Sequence, residues 1–155
     1  MTAPVALNDG ADHALILCID DNVTSLRVRQ LILERAGFSV ICAVSDEDGL
    51  QLFAELPIDL VLTDQFLGAK TGIQIARQMK NLKPHVPVLI FSAALDVPDD
   101  IGFADEFLAK SGDPDLLLKT LARLLRKRRN DASLPAPDGK SAFLSGFSRT
   151  GKKSA

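Results

Sequence analysis

Four apolar runs in this sequence end in side chains able to do chemistry. Asp20 and Asp21 follow ALILCI, Asp64 follows IDLVLT, Ser92 follows PVLIF, and Lys110 follows DEFLA. In an open α/β sheet the carboxyl ends of parallel strands line one crevice, so groups that follow separate strands can converge there. Three converging carboxylates repel one another unless a cation joins them, because a nearby like charge disfavours the ionised form. An all-oxygen ligand set suits a hard divalent ion, and Mg²⁺, held by one or two carboxylates plus phosphate oxygens, fits best. Carboxylates, hydroxyl, ammonium and Mg²⁺ together are the parts that phosphoryl transfer needs.

Alternating elements would position these groups. Residues 14–19 form a continuous apolar run, as expected of a parallel strand covered on both faces, and Asp20, Asp21 and Asn22 then supply capping chemistry for a helix to about Ala36, with Gly37 as its stop. FSVICA (38–43) reads as a second strand. Ser45 with Asp48 resembles a capping box opening a helix through about Glu55, which Pro57 breaks. Residues 58–63 form a third strand, followed by a loop with Gly68 and Gly72 and a short helix carrying Ile73, Ala76, Met79 and Lys80 that Pro84 ends. Pro87 opens the fourth strand and EFLA (106–109) is the fifth. Asp113 caps a closing helix with Pro114 at its first position, running to Arg129. Residues 92–104 carry Pro98, Gly102 and no helical stripe, which predicts a loop or a single helical turn where a crossover helix would stand. The expected fold is α/β: a doubly wound, flavodoxin-like sheet of five parallel strands in order 2-1-3-4-5, with a shortened or missing fourth helix.

The chain has 155 residues, enough for one domain with a real core. With net charge −2, 46% apolar and 25% charged residues, it falls in the ordinary globular class. No run approaches the roughly 20 apolar residues of a spanning helix, and the N-terminus lacks a signal-peptide pattern, so a cytoplasmic location with no membrane partner is expected. Cys18 and Cys42 lie in predicted strands and read as buried thiols rather than a disulfide. Residues 1–13 read as a flexible leader, 14–129 as the domain and 130–155, small and polar with two prolines, as a flexible tail.

IDDN (19–22), LTD (62–64), Gly72, FSA (91–93) and LAK (108–110) occur in order, each but the glycine closing an apolar strand. In these motifs, over about residues 14–128, the chain resembles a response-regulator receiver domain, the CheY-like phosphoacceptor module of two-component signalling. The resemblance implies that Asp64 is the phosphoacceptor, taking a phosphoryl group from a histidine kinase or histidine phosphotransfer protein. It implies Mg²⁺ on Asp20, Asp21, Asp64 and the backbone carbonyl of Phe66. Lys110 and Ser92 would hold the phosphoryl group, Ala93 would leave its entrance open, and Phe107 would be the aromatic switch. The expected function is that of a single-domain response regulator, a phosphoacceptor and not a turnover enzyme, that switches binding of a downstream protein left unspecified by the sequence.

Three departures from the family pattern stand out. Lys110 precedes Ser111, where the family usually has a proline after a cis bond. A cis bond before a non-proline costs about 2.5–4 kcal/mol. Segment 93–104 thins the fourth helix, part of the family's output face. Phe66 occupies a position where many relatives carry a polar side chain that can orient hydrolytic water, which predicts a long-lived phosphorylated state.

The alternative functional reading is a receiver-like scaffold that binds partners without phosphorylation. A Mg²⁺-dependent phosphatase with an aspartate nucleophile would show D-x-D after the first strand, whereas here the acidic pair is adjacent. RLLRKRR (123–129) suits the C-terminal dipole of the last helix better than a nucleic-acid patch, in an acidic chain without Tyr or Trp. In the tail, Phe143, Leu144 and Phe147 fall at one-turn spacing. His13 and His85 have no ligand spacing.

Overall fold

The computed structural model describes residues 13–93, 97–110 and 113–133. In chain order the elements are β1 (Leu15–Ile19), α1 (Val23–Arg35), β2 (Ser39–Ala43), α2 (Asp46–Glu55), β3 (Leu60–Thr63), β4 (Phe66–Leu67), β5 (Lys70–Thr71), α3 (Gly72–Leu82), β6 (Val88–Ser92), β7 (Glu106–Ala109) and α4 (Pro114–Ser133). Five strands pair in parallel in the order β2-β1-β3-β6-β7. Counted among themselves they have the expected order 2-1-3-4-5.

The uninterrupted apolar runs are explained by a sheet covered on both faces. Alternate residues of β1 go to opposite cores. Leu17 and Ile19 pack with Phe53, Ile75 and Met79 under α2 and α3. Ile16 and Cys18 pack with Leu26, Leu33, Leu117, Leu121 and Leu125 under α1 and α4. Both cysteines are free thiols, Cys18 buried and Cys42 half-buried, at paired positions of β1 and β2.

Side chains the sequence singles out hold the helix ends. The Asn22 carboxamide oxygen accepts the Ser25 N–H at 2.9 Å, and Gly37 takes φ +103° after the last turn of α1. Ser45 Oγ accepts the Asp48 N–H at 3.1 Å, and Asp113 Oδ1 accepts the Asp115 N–H at 3.0 Å. Lys83 closes the other end of α2, its Nζ donating to the carbonyls of Phe53 (2.6 Å) and Leu56 (2.9 Å). Arg128 pins α4 to the start of the central strand β3 through Asp59 Oδ1 at 2.6 Å, while Asp59 Oδ2 accepts the Leu15 N–H at 2.8 Å.

Two local features differ from expectation. The loop after Asp64 is an antiparallel hairpin, β4 with β5, whose turn starts at Gly68 with φ +66°. It delivers Thr71 and Gln74, which form a reciprocal capping box (3.2 and 2.9 Å) for an α3 that begins at Gly72. Helix α4 continues past Arg129 to Ser133, since Asn130 and Asp131 are tolerated on an exposed helix surface. The segment before β7 is as expected: among the described residues from 93 to 105 there is a turn closed by the Ala104 N–H to the Ile101 carbonyl (3.2 Å), and no helix. The expectations for the leader and the tail, including Phe143, Leu144 and Phe147, fall almost wholly outside the described residues, as does the Lys110–Ser111 bond.

Candidate functional site

Strand register brings the predicted groups to one edge. The Asp20 N–H donates to the Ala43 carbonyl at 3.1 Å and the Asp64 N–H to the Ile19 carbonyl at 2.9 Å, so β2, β1 and β3 end level with one another. The Lys110 N–H donates to the Ser92 carbonyl at 2.7 Å, which aligns the ends of β6 and β7. Asp20, Asp21 and Asp64 thereby each present a carboxylate oxygen within 4.8 Å of the others.

Their surroundings differ. Asp20 is buried, with Oδ1 accepting the Asn22 N–H at 2.9 Å and Oδ2 lying 3.3 Å from Lys110 Nζ. Asp21 is exposed. Asp64 sits between, 3.6 Å from Lys110 Nζ through Oδ1. Burial pushes the Asp64 carboxyl above its usual range. Lys110 opposes that shift, the Asp20 charge adds to it, and the Gln65 backbone N–H and Arg29 also oppose it. A partly buried carboxylate with a raised pKa beside another carboxylate is a place where a cation or a phosphoryl group gains more than it would in water.

The remaining predicted residues flank this cluster. Ser92 is buried at the end of β6, and Ala93 beyond it is exposed. Phe66 opens β4 and is 61% exposed, so it stands toward solvent and does not fill the pocket. Phe107 is buried in the core on the α3 side of the sheet, packed with Ile90 and Ala104. Gly72 lies against the phosphoacceptor candidate: a Cβ there would sit 2.7 Å from the Asp64 carbonyl oxygen, and the Gly72 N–H donates to the Gln65 carbonyl at 2.8 Å. Thr63 Oγ1 donates to the same Asp64 carbonyl at 3.0 Å.

Two residues of the site escape the sequence reading. Arg29 is buried, with Nη1 3.3 Å from Asp20 Oδ2 and its guanidinium 5.0 Å from the centre of the Phe91 ring. Leu26, Arg29 and Leu33 are the buried positions of α1, and that spacing was the available signal. Gln65 is also buried, its Oε1 accepting the Ile73 N–H at 3.3 Å, which fastens the start of α3 to the end of β3.

This sheet order and this cluster define a class of protein. The family model described as the response regulator receiver domain matches residues 16–122, and the chain belongs to that family. It is 30% identical over 129 residues to the transcriptional regulatory protein GlrR of Escherichia coli (strain K12), covering 81% of this chain and 28% of that protein. It is 33% identical over 126 residues to ZraR of Salmonella typhimurium, covering 78% and 29%. The chain thus spans under a third of the length of these relatives. Among solved structures, a receiver domain protein from Clostridium thermocellum matches with TM-score 0.70 and 31% identity, over 75% of this chain and 97% of that one. TrrA of Thermotoga maritima, solved in complex with Mg(2+)-BeF, matches in fold with TM-score 0.68 and 24% identity, over 71% and 97%. None of the helices among the described residues is long and apolar enough to cross a membrane.

Proposed function

We propose that this receiver accepts a phosphoryl group on Asp64 from a histidine kinase or histidine phosphotransfer protein and switches its binding to a downstream protein. The observation that carries the reading is the cluster itself: three carboxylates from the ends of β1 and β3 within 4.8 Å, with the Lys110 ammonium 3.6 Å from Asp64. In the transfer, an Asp64 carboxylate oxygen attacks the phosphorus of a phosphohistidine. A P–O bond forms, the P–N bond breaks, and the imidazole nitrogen leaves with the bonding pair and takes up a proton.

The donor set fits Mg²⁺: oxygen only, partly exposed, and carrying more negative charge than Lys110 alone offsets. Asp20, Asp21, Asp64 and the Phe66 carbonyl would hold the ion, which would supply positive charge to the phosphoryl oxygens. The chain's own groups do the rest. Lys110 donates a charge-assisted hydrogen bond to the phosphoryl group and the Ser92 hydroxyl donates another, while Ala93 leaves the approach open. The product carries roughly −1.5 to −2 charges at the strand ends, and closure of Ser92 and Lys110 on it draws β6 and β7 toward a second packing of Phe107. Coupling of about 1–3 kcal/mol gives a fivefold to hundredfold change in partner affinity. The protein acts as a phosphoacceptor rather than a turnover enzyme, in the cytoplasm, with residues 14–129 as the working domain.

Acetyl phosphate with Mg²⁺ tests this by intact mass. The wild type should gain one hydroxylamine-labile phosphoryl group and Asp64→Asn none. Equal labelling of the two proteins, or none of the wild type, would end the proposal.

A further inference from the structure

Arg29 is the charged group at this site that phosphoacceptor chemistry does not call for. It stands on α1 among apolar neighbours and is only 5% exposed, with Nη1 3.3 Å from Asp20 Oδ2. A guanidinium that far from water is tolerated only with a charge partner, and Asp20 is that partner. Lys110 Nζ approaches the same Oδ2, also at 3.3 Å, and the two cations share one apolar floor: Arg29 lies 5.0 Å and Lys110 5.7 Å from the centre of the Phe91 ring. The pocket therefore holds the carboxylates of Asp20, Asp21 and Asp64 against two fixed positive charges. With both cations the three carboxylates keep a formal charge of −1, and without Arg29 they would keep −2, the amount that a divalent ion neutralises.

We infer that Arg29 is an internal counter-cation that sets a weak divalent-ion affinity for this pocket, holding the Asp20 carboxylate in place when no metal is bound and competing with the metal for Oδ2. The inference rests on the reading of Asp20, Asp21 and Asp64 as the Mg²⁺ ligands, and adds what regulates that site. Burial keeps the competitor effective, because a charge removed from water is screened little by salt. The planar guanidinium lies over Phe91 and still reaches Oδ2, so the ring holds the competing charge beside that oxygen.

The test is a Mg²⁺ titration of the full chain, followed through backbone amide shifts and by calorimetry, on wild type, Arg29→Met, Arg29→Lys and Asp21→Asn. Arg29→Met keeps the packing on Phe91 and removes the charge. It should bind Mg²⁺ at least about tenfold more tightly, given the size of one unit charge a few ångströms from a divalent ion. Arg29→Lys keeps the charge and should stay near wild type. If Arg29→Met does not fold without metal, the dependence of the thermal midpoint on Mg²⁺ concentration gives the same affinity, and Arg29→Gln provides a second uncharged variant. Equal or weaker Mg²⁺ binding by the uncharged variants, with binding still lost in Asp21→Asn, overturns the inference and leaves the site assignment standing. Binding indifferent to Asp21→Asn overturns the site assignment itself.

Discussion

Lys110 Nζ lies 3.3 Å from Asp20 Oδ2 and 3.6 Å from Asp64 Oδ1, so one ammonium, from the residue after edge strand β7, ties together carboxylates that follow β1 and β3. The ammonium is only partly exposed, where a charge-assisted contact is stronger than in water. It opposes metal and favours phosphate. Lys110→Ala should therefore bind Mg²⁺ more tightly than wild type and beryllofluoride at least about tenfold more weakly, the loss of one charge-assisted bond to a phosphoryl mimic. Calorimetry with each ligand reads both signs, and a Lys110→Ala protein that loses affinity for both would contradict the assignment.

The Asp64 carboxyl has its pKa raised by burial, with Lys110 opposing and Asp20 adding to the shift. A raised acid pKa means that the fold disfavours the ionised form. Between the unfolded and folded pKa values the native state binds more protons, so stability falls as pH rises through that window and stays lower above it. Asp64→Asn has no charge to desolvate. Without metal it should melt above wild type at neutral pH, and the difference should shrink as pH is lowered toward the ordinary carboxylate pKa of about 3.9. Mg²⁺ should narrow the neutral-pH gap from the other side by stabilising the wild type. Thermal melts of the two proteins across pH, with and without Mg²⁺, check each part.

Much of this site was legible because the fold marks it. A parallel strand buried on both faces reads as an unbroken apolar run, and the residue that ends the run lies at the crevice, so Asp20, Asp64, Ser92 and Lys110 could be placed without a structure. The sheet order was that of the flavodoxin-like class to which the alternation of strands and helices pointed. Arg29 was not legible in this way, since an arginine between Val28 and Gln30 in a helix ordinarily faces water, and only the Leu26–Arg29–Leu33 spacing puts it inside. The hairpin of β4 and β5 was missed because each strand has two residues and no period can show in two. The end of α4 was placed at Arg129 because the composition turns polar at Asn130, yet a helix that is already packed carries its exposed last turn along.

In the proposed function, Phe66 bears on the lifetime of the phosphorylated state. Two residues after Asp64 it is 61% exposed, and its ring offers no donor or acceptor to a water molecule approaching the acyl phosphate. Positioned acid–base groups accelerate proton transfers by about 10²–10⁴. Replacing Phe66 by Asn should shorten the half-life of phospho-Asp64 in Mg²⁺ buffer by at least about tenfold, toward the lower part of that range, because a carboxamide orients water but is a poor base. Decay is followed by intact mass after removal of the phosphoryl donor. The exposed side chain makes no contribution to the core, so the thermal midpoint should move little, which separates the gain of a water-orienting group from loss of structure.

Gly72 is required by contact rather than by backbone freedom. A Cβ there would meet the Asp64 carbonyl oxygen at 2.7 Å and Gln65 Oε1 at 3.2 Å. The first of these is main chain held by the Thr63 hydroxyl, so it cannot swing away as a side chain would. Relief requires that α3 retreat from β3, which lengthens the 2.8 Å bond from the Gly72 N–H to the Gln65 carbonyl and disturbs the strand end that aims Asp64. Overpacking of this kind costs about 1–3 kcal/mol, so Gly72→Ala should lower the thermal midpoint by roughly 4–12 °C and slow phosphoryl uptake from acetyl phosphate. Gly68→Ala is the contrasting case: open space surrounds that position, but φ is +66°. It should cost only the left-handed penalty of about 1 kcal/mol and leave uptake unchanged. If both variants lost stability alike and neither lost phosphoryl uptake, the contact between α3 and the Asp64 backbone would have no part in placing the nucleophile.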